Sequence, residues 1–221
     1  MRNLKFEIGE FYHIYNRGVD KRDIFKNPKD LERFLKSMLE FNQSEPIGSI
    51  YENSFSKRQL GSRASKLAGA KVNIDNKLVN FVCYCLNTNH YHFLLEQVSE
   101  NGIEKFMHRL GTGYTKYFNI KNKRSGALFQ GKFKAVHVDS NEYLLHLSAY
   151  INLNNKVHKN NSLYKSSYDE YILAVGNFCK KDIILEQFKN VKEYKDYMKI
   201  SFDYILENKE SSKELEAILL D

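Results

Sequence analysis

The stretch LNTNHYHFLLEQ, residues Leu86 to Gln97, sets two histidines one residue apart at the start of an apolar run. The residues before it, LVNFVCYCL, form a second apolar run, and Asn87-Thr88-Asn89 separates the two. Asparagines tolerate positive φ and favour tight connections, so the pattern predicts a β-hairpin whose second strand spans His90 to Gln97. Successive strand side chains alternate faces, so His90 and His92 point the same way with Cβ atoms about 7 Å apart, while Tyr91 faces the opposite layer. Two such imidazoles can converge on one divalent cation, or serve as satisfied core residues. The pair alone leaves both readings open.

Outward from this hairpin, FYHIYNRG (Phe11 to Gly18) reads as a first strand, with Phe11, His13 and Tyr15 on one face. After Pro28, the apolar residues Leu31, Phe34, Leu35, Met38, Leu39 and Phe41 recur at helical spacing, predicting a helix that ends near Asn42. Residues 43–77 show no sustained period and read as a long loop insertion carrying Lys57, Arg58, Arg63, Lys66 and Lys71. Beyond the hairpin, Ile103, Phe106, Met107, Leu110, Tyr114, Tyr117 and Phe118 keep helical spacing across Gly111 and Gly113, predicting a kinked helix or two short ones. A strand follows from about Phe133 to Val138. Asp139 or Ser140 then caps a helix that runs to about Asn154.

The segment from Lys156 to Ile172 reads as polar loop, and the rest as short helices: CKKDIILEQF, VKEYKDYMKISFDYILE and SSKELEAILL. The order strand, helix, strand, strand, helix, strand, helix predicts an α+β fold, a ferredoxin-like antiparallel sheet with helices on one face. Residues 1–159 would form that domain and 160–221 a helical C-terminal extension.

A chain of 221 residues can bury a sizeable core, and its net charge of +7 favours a polyanionic partner such as nucleic acid. The three cysteines, Cys83, Cys85 and Cys179, lack disulfide or zinc-knuckle spacing and read as buried thiols of a reducing cytoplasm. No long apolar segment predicts a leader or a membrane span. Neither a P-loop nor a dinucleotide fingerprint is present.

On the helix SNEYLLHLSAYINLN, Leu144, Leu147 and Ile151 form a buried stripe, and Tyr150 and Asn154, four apart, project together from its edge. With 15 tyrosines in the chain, spacing alone does not select Tyr150.

Four ordered segments between Phe11 and Tyr171 carry a resemblance: FYHIYNRGVDKRDIF, NTNHYHFLLE, the run from YTKYFNIKNKR to HLSAYINLNN, and SSYDEYI. They resemble the HUH endonucleases with a single catalytic tyrosine, in particular the bacterial REP-associated tyrosine transposases of the IS200-like family. The resemblance implies that His90 and His92 are metal ligands, that Asn154 supplies a third, carboxamide ligand, and that Tyr150 is the nucleophile. It implies Mg²⁺ or Mn²⁺ as cofactor and single-stranded DNA with a hairpin, at palindromic repeat elements, as partner. Where the family has Asn-Pro and Pro-Asn-His, this chain has Asn154-Asn155 and Thr88-Asn89-His90, which frees both backbones.

The expected reaction is attack by Tyr150 on a phosphodiester to give a 5′-phosphotyrosine and a free 3′-hydroxyl, reversible without ATP. DNA binding would fall to Arg17, Lys21, Arg22, Lys121, Lys123, Arg124, Lys132 and Lys134. Tyr114, Tyr117, Phe118 and Phe129 would be either base-stacking platforms or core. His146, one turn before Tyr150, would serve surface or core, or assist proton transfer. A catalytically silent hairpin-binding protein is the alternative, and a homodimer is left open. An RNA-binding module is disfavoured by the lack of an RNP aromatic consensus.

Overall fold

The computed structural model describes residues 4–50, 76–159, 163–173 and 176–211. The five basic residues of the inserted loop and the segment SKELEAILL, residues 212–220, lie outside the described residues, as do most positions of the 43–77 insertion. Strand β1 (Phe11–Arg17) leads through a 3₁₀ turn (Val19–Lys21) to helix α1 (Pro28–Glu40), then strands β2 (Val79–Leu86) and β3 (His90–Gln97). Helix α2 (Gly102–Lys121), strand β4 (Lys134–Val138) and helix α3 (Asn141–Val157) follow. The chain closes with β5 (Lys165–Ser166), α4 (Tyr168–Ile172), α5 (Asp182–Leu185) and α6 (Val191–Ser211).

The strands form one antiparallel sheet in the order β4-β1-β3-β2-β5, so the strand carrying both histidines lies at its centre. Alternation sorts its residues. Tyr91, Phe93 and Leu95 are buried on one face, where Phe34 of α1 contacts Tyr91 and Phe93 and Phe106 of α2 meets Phe81 edge-to-face. The other face carries His90 and His92 and is covered by α3. The antiparallel α+β class is the expected one. The layering differs in one respect: α1 and α2 share a face, while α3 crosses the opposite one because its apolar stripe is matched to β2 and β3 there.

Local chemistry explains the element ends. Asn27 caps α1 by accepting from the Asp30 backbone N–H, with Pro28 in the first turn where its missing N–H costs nothing. Asp30 is itself fully buried and is satisfied by Tyr117 Oη at 2.9 Å, Lys121 Nζ at 2.5 Å and the Lys26 backbone N–H at 2.9 Å. Ser140, rather than Asp139, caps α3 by accepting from the Tyr143 N–H.

Two expectations are corrected. Helix α2 runs unbroken from Gly102 to Lys121, without the kink predicted at Gly111 and Gly113. Gly113 is there for closeness: a Cβ would lie 2.7 Å from the Phe41 ring. The stretch from Lys156 to Ile172 is also more ordered than its polarity suggests. It supplies β5 at the sheet edge, and Tyr171 is buried with its hydroxyl donating to the Val82 carbonyl at 2.7 Å. The long helix α6 packs against α3, where Asn152 Nδ2 donates to Tyr194 Oη at 3.3 Å and Ser167 Oγ donates to Asn152 Oδ1 at 2.6 Å. No helix among the described residues is long and apolar enough to cross a membrane.

Candidate active site

The site forms where β3, the β2–β3 turn and α3 meet. In the sheet register His92 lies opposite Tyr15 and His90 opposite Arg17. The two imidazoles stand edge-to-face with centroids 5.3 Å apart, and both are buried. Across from them, α3 brings Asn154 Oδ1 to 3.1 Å from His90 Nε2, and the Tyr150 ring to 5.7 Å, centroid to centroid, from His92. The four residues singled out from the sequence are therefore brought together.

Hydrogen bonds fix the imidazole tautomers. His90 Nδ1 lies 2.7 Å from Asn89 Oδ1, a pure acceptor, so Nδ1 carries the hydrogen and Nε2 presents a lone pair. His92 Nδ1 lies 2.9 Å from His13 Nε2, leaving Nε2 as the nitrogen His92 offers elsewhere. Burial, then the neighbouring His13, His90 and His158, hold the His92 pKa well below its ordinary value, and burial pushes His13 down to about 3. Neutral imidazole is the form that ligates metal.

The donor set fits a divalent cation. His90 Nε2 and Asn154 Oδ1 are both acceptors 3.1 Å apart, and the Asn87 amino group donates to both. Adjacent ligands of an octahedral cation at 2.0–2.1 Å would stand about 3.0 Å apart. Asn154 is fully buried, and its Nδ2 has no hydrogen-bond partner among the described residues. Its carboxamide thus holds the oxygen toward His90 while the amino group is left unsatisfied, a cost of about 1–3 kcal/mol that is expected at functional positions. No cluster of three or more His, Cys, Asp or Glu suited to a metal occurs among the described residues, and the residues that would hold a cation here offer imidazole and carboxamide groups.

The opposite side of the histidines opens into a cavity of about 270 Å³ lined by Tyr15, Asn16, Arg17, His90, His92, Gln130, Gly131 and Lys134. Of the eight basic residues expected at DNA, the structure gathers Arg17 and Lys134 here, with Arg17 Nε donating to Gln130. Lys132 lines an adjacent groove with Lys116, Asn119, Phe129 and Phe133. Others are committed locally: Arg22 to Asp20 at 3.3 Å, Arg124 to Asn119 and the Ala127 carbonyl, and Lys121 to Asp30, whose hydrogen bond raises the lysine's pKa. Lys21 and Lys123 sit at positive-φ turn positions. Tyr114, Phe118 and Phe129 are core residues, and Tyr117 is tied to Asp30. His146 is half-buried against Tyr204 of α6.

The turn before His90 is ordered without proline. Thr88 O accepts from the Ile24 and Phe25 N–H groups at 2.9 and 3.0 Å, and Asn87 N–H donates to His90 O at 2.8 Å. Its asparagines are not among the positive-φ residues; they act through their side chains instead. On α3, Asn155 is buried within a helix that continues to Val157, so the missing proline leaves the helix intact.

Residues 49–154, which hold both histidines, the tyrosine and the asparagine, match the family model described as Transposase IS200 like. That stretch is similar to the IS200-like transposases. No curated relative matches the chain. Among solved structures, a REP-associated tyrosine transposase bound to a REP hairpin aligns at 12% identity with a TM-score of 0.50, covering 80% of this chain and 86% of that one. At this identity the likeness speaks to the fold, and it matches the antiparallel α+β arrangement seen here. A tRNA(His) guanylyltransferase from Saccharomyces cerevisiae aligns at 10% identity over 89% of this chain and 75% of that one, with a TM-score of 0.32, too low for any argument.

Three residues beside this site had not been assigned a role from sequence. His13 shares the β1 face with Tyr15, so its period-two placement was the available signal. His158 follows Asn154 by four residues on the same helical edge and reaches 5.0 Å, centroid to centroid, from His90. Asn87 was read as a turn former, yet its amide reaches His90 and Asn154.

Proposed function

We propose that the protein is a metal-dependent single-stranded DNA transesterase that cleaves and rejoins hairpin-containing DNA through a 5′-phosphotyrosine intermediate. The observation that carries this reading is the meeting of Tyr150 and Asn154, one helical turn apart on α3, with His90 and His92 on β3. His90, His92 and Asn154 would hold Mg²⁺ or Mn²⁺, which polarises the scissile phosphate and offsets the charge that builds on it. With nitrogen ligands, Mn²⁺ is the better match.

The protein's own groups supply the rest. Arg17 and Lys134 line the adjoining cavity and give it positive charge for the flanking phosphates. Tyr150 is half-buried beside His92, so its ring is held in place while its hydroxyl attacks phosphorus. The O–P bond forms to the phenol oxygen as the bond to the 3′-oxygen breaks. The phenol gives up its proton, and the leaving oxygen gains one to end as a 3′-hydroxyl. Reversal by another 3′-hydroxyl rejoins the strand, the bond energy having been kept in the adduct. The REP hairpin bound by the aligned transposase supports a folded-back single strand as substrate.

The test is incubation with labelled single-stranded hairpin DNA pools and Mn²⁺ or Mg²⁺, followed by denaturing electrophoresis. A covalent protein–DNA adduct that disappears in Tyr150→Phe and His90→Ala is expected. Tight hairpin binding with no adduct under either metal would replace this reading with that of a silent hairpin-binding protein.

A further inference from the structure

The chemistry above leaves His13 without a role, although its ring is wholly enclosed beside a residue of the site. His13 Nε2 lies 2.9 Å from His92 Nδ1, with the ring centres 5.1 Å apart and the ring planes inclined by 21°. The difference between the two distances is about the diameter of an imidazole, so both nitrogens lie close to the line of centres. That line then runs in both ring planes, where the lone pair of one nitrogen and the N–H of the other point. The rings meet edge to edge, and one hydrogen joins them. Tyr15, two residues along β1, contacts both rings and limits how far either can turn.

Either ring can own the shared hydrogen, and the choice decides what His92 offers the site. With the hydrogen on His13, a neutral His92 carries its own on Nε2, and no lone pair is left for a cation. With the hydrogen on His92 Nδ1, Nε2 presents a lone pair, and His13 carries its hydrogen on Nδ1. His13 Nδ1 is buried and has no hydrogen-bond partner among the described residues. An apolar side chain at this position would leave no polar atom of its own unsatisfied. The contact that His13 does keep is the one that bears on the site. His90 is held in the same manner, since Asn89 Oδ1 accepts from its Nδ1. Both imidazoles are anchored through Nδ1, one from the neighbouring turn and the other from across the sheet.

We propose that His13 is a positioning residue for His92, accepting the His92 Nδ1–H and so keeping the His92 Nε2 lone pair available to a divalent cation. The inference rests on the reading of His90, His92 and Asn154 as the site of that cation. Loss of an outer partner of this kind lowers metal affinity by about 10–100-fold.

Nuclear magnetic resonance of the metal-free, full-length protein carrying ¹⁵N-histidine reads the arrangement directly, because couplings to the ring hydrogens distinguish a protonated nitrogen from a bare one. His13 Nδ1 and His92 Nδ1 are expected to be protonated and both Nε2 atoms bare. A hydrogen on His92 Nε2 overturns the proposal. This measurement uses the unaltered chain, so it stands even where a substitution at His13 disturbs folding.

A Mn²⁺ titration without DNA, reading free Mn²⁺ by electron paramagnetic resonance, then compares wild type with His13→Leu, His13→Gln and His90→Ala. His13→Leu is expected to weaken Mn²⁺ binding by about 10–100-fold, whereas His13→Gln, whose carboxamide oxygen can accept where Nε2 did, stays within about threefold of wild type. A purely structural His13 predicts the reverse order, with the apolar leucine the better replacement, and that order overturns the proposal. His90→Ala separates the two levels. Binding lost in His90→Ala but unchanged in His13→Leu sinks this inference alone; binding unchanged in His90→Ala removes the cation site and the inference with it.

Discussion

His13 Nε2 and His92 Nδ1 are 2.9 Å apart across the β1–β3 ladder, both rings fully enclosed. Burial depresses both pKa values, so the folded chain keeps neutral imidazoles where the unfolded chain takes up protons near its ordinary value of 6.5. Between those values the unfolded state binds more protons, so stability rises with pH. For His13 the contribution is complete above about pH 6.5 and is lost as pH falls toward about 3, and His92 adds a loss of the same sign, at a slope of up to ~1.4 kcal/mol per pH unit for each group. Urea midpoints measured from pH 8 downward are expected to fall from about pH 6.5 on, and His13→Leu to reduce that slope by about half. A flat profile in the wild type would show that these rings titrate normally.

Tyr150→Phe removes the oxygen proposed to attack and leaves the ring beside His92. Adduct formation should vanish, while hairpin affinity stays within about threefold of wild type, because the lost group acts only in the chemical step. Filter binding and denaturing gels on the same samples separate the two quantities. A residual adduct would mean that another tyrosine attacks.

Arg17 and Lys134 share the cavity next to the histidines, whereas Lys121 is held by the buried Asp30. Alanine at either of the first two should lower DNA affinity and reduce the slope of log affinity against log salt by about one. Lys121→Ala should instead cost stability, about 1–3 kcal/mol, because Asp30 loses its cation but keeps the Tyr117 and Lys26 hydrogen bonds. Salt-dependent binding and thermal melts distinguish these outcomes. Equal salt slopes for all three variants would contradict the division of labour.

The two glycines of α2 should respond with opposite sign. A Cβ at Gly111 meets no atom within 4 Å, so Gly111→Ala is expected to stabilise by about 0.5–1 kcal/mol through helix propensity. At Gly113 the same atom would lie 2.7 Å from Phe41, and Gly113→Ala should cost about 1–3 kcal/mol by overpacking. Denaturant melts of the two variants settle the matter. Stabilisation by both would show that Phe41 gives way freely.

The hairpin, the amphipathic helices and the strand before α3 were legible because their apolar residues repeat at two or at three to four. The pairing of His90 with His92 followed from the same alternation, and Tyr150 with Asn154 from one helical turn. What periodicity cannot convey is which distant elements meet. His13 is 79 residues from His92, and only the β1–β3 register brings them together. Asn87 and Asn89 looked like turn formers because composition ranks asparagine as one, yet their side chains serve His90. Gly113 looked like a helix breaker because its partner, Phe41, comes from outside its helix.

The strand order places β1 between β3 and β4, and the outer edge of β2 is closed by Ser166. During synthesis, β1 therefore leaves the ribosome long before either of its neighbours exists, and it waits unpaired until the hairpin follows. The imidazoles are made next and the phenol later, on a helix whose flank is covered by still later residues such as Tyr194. Such a site has an order of arrival built into it: Tyr150 cannot meet His90 and His92 until most of the chain has been made, and a product released early would carry the histidines without the tyrosine.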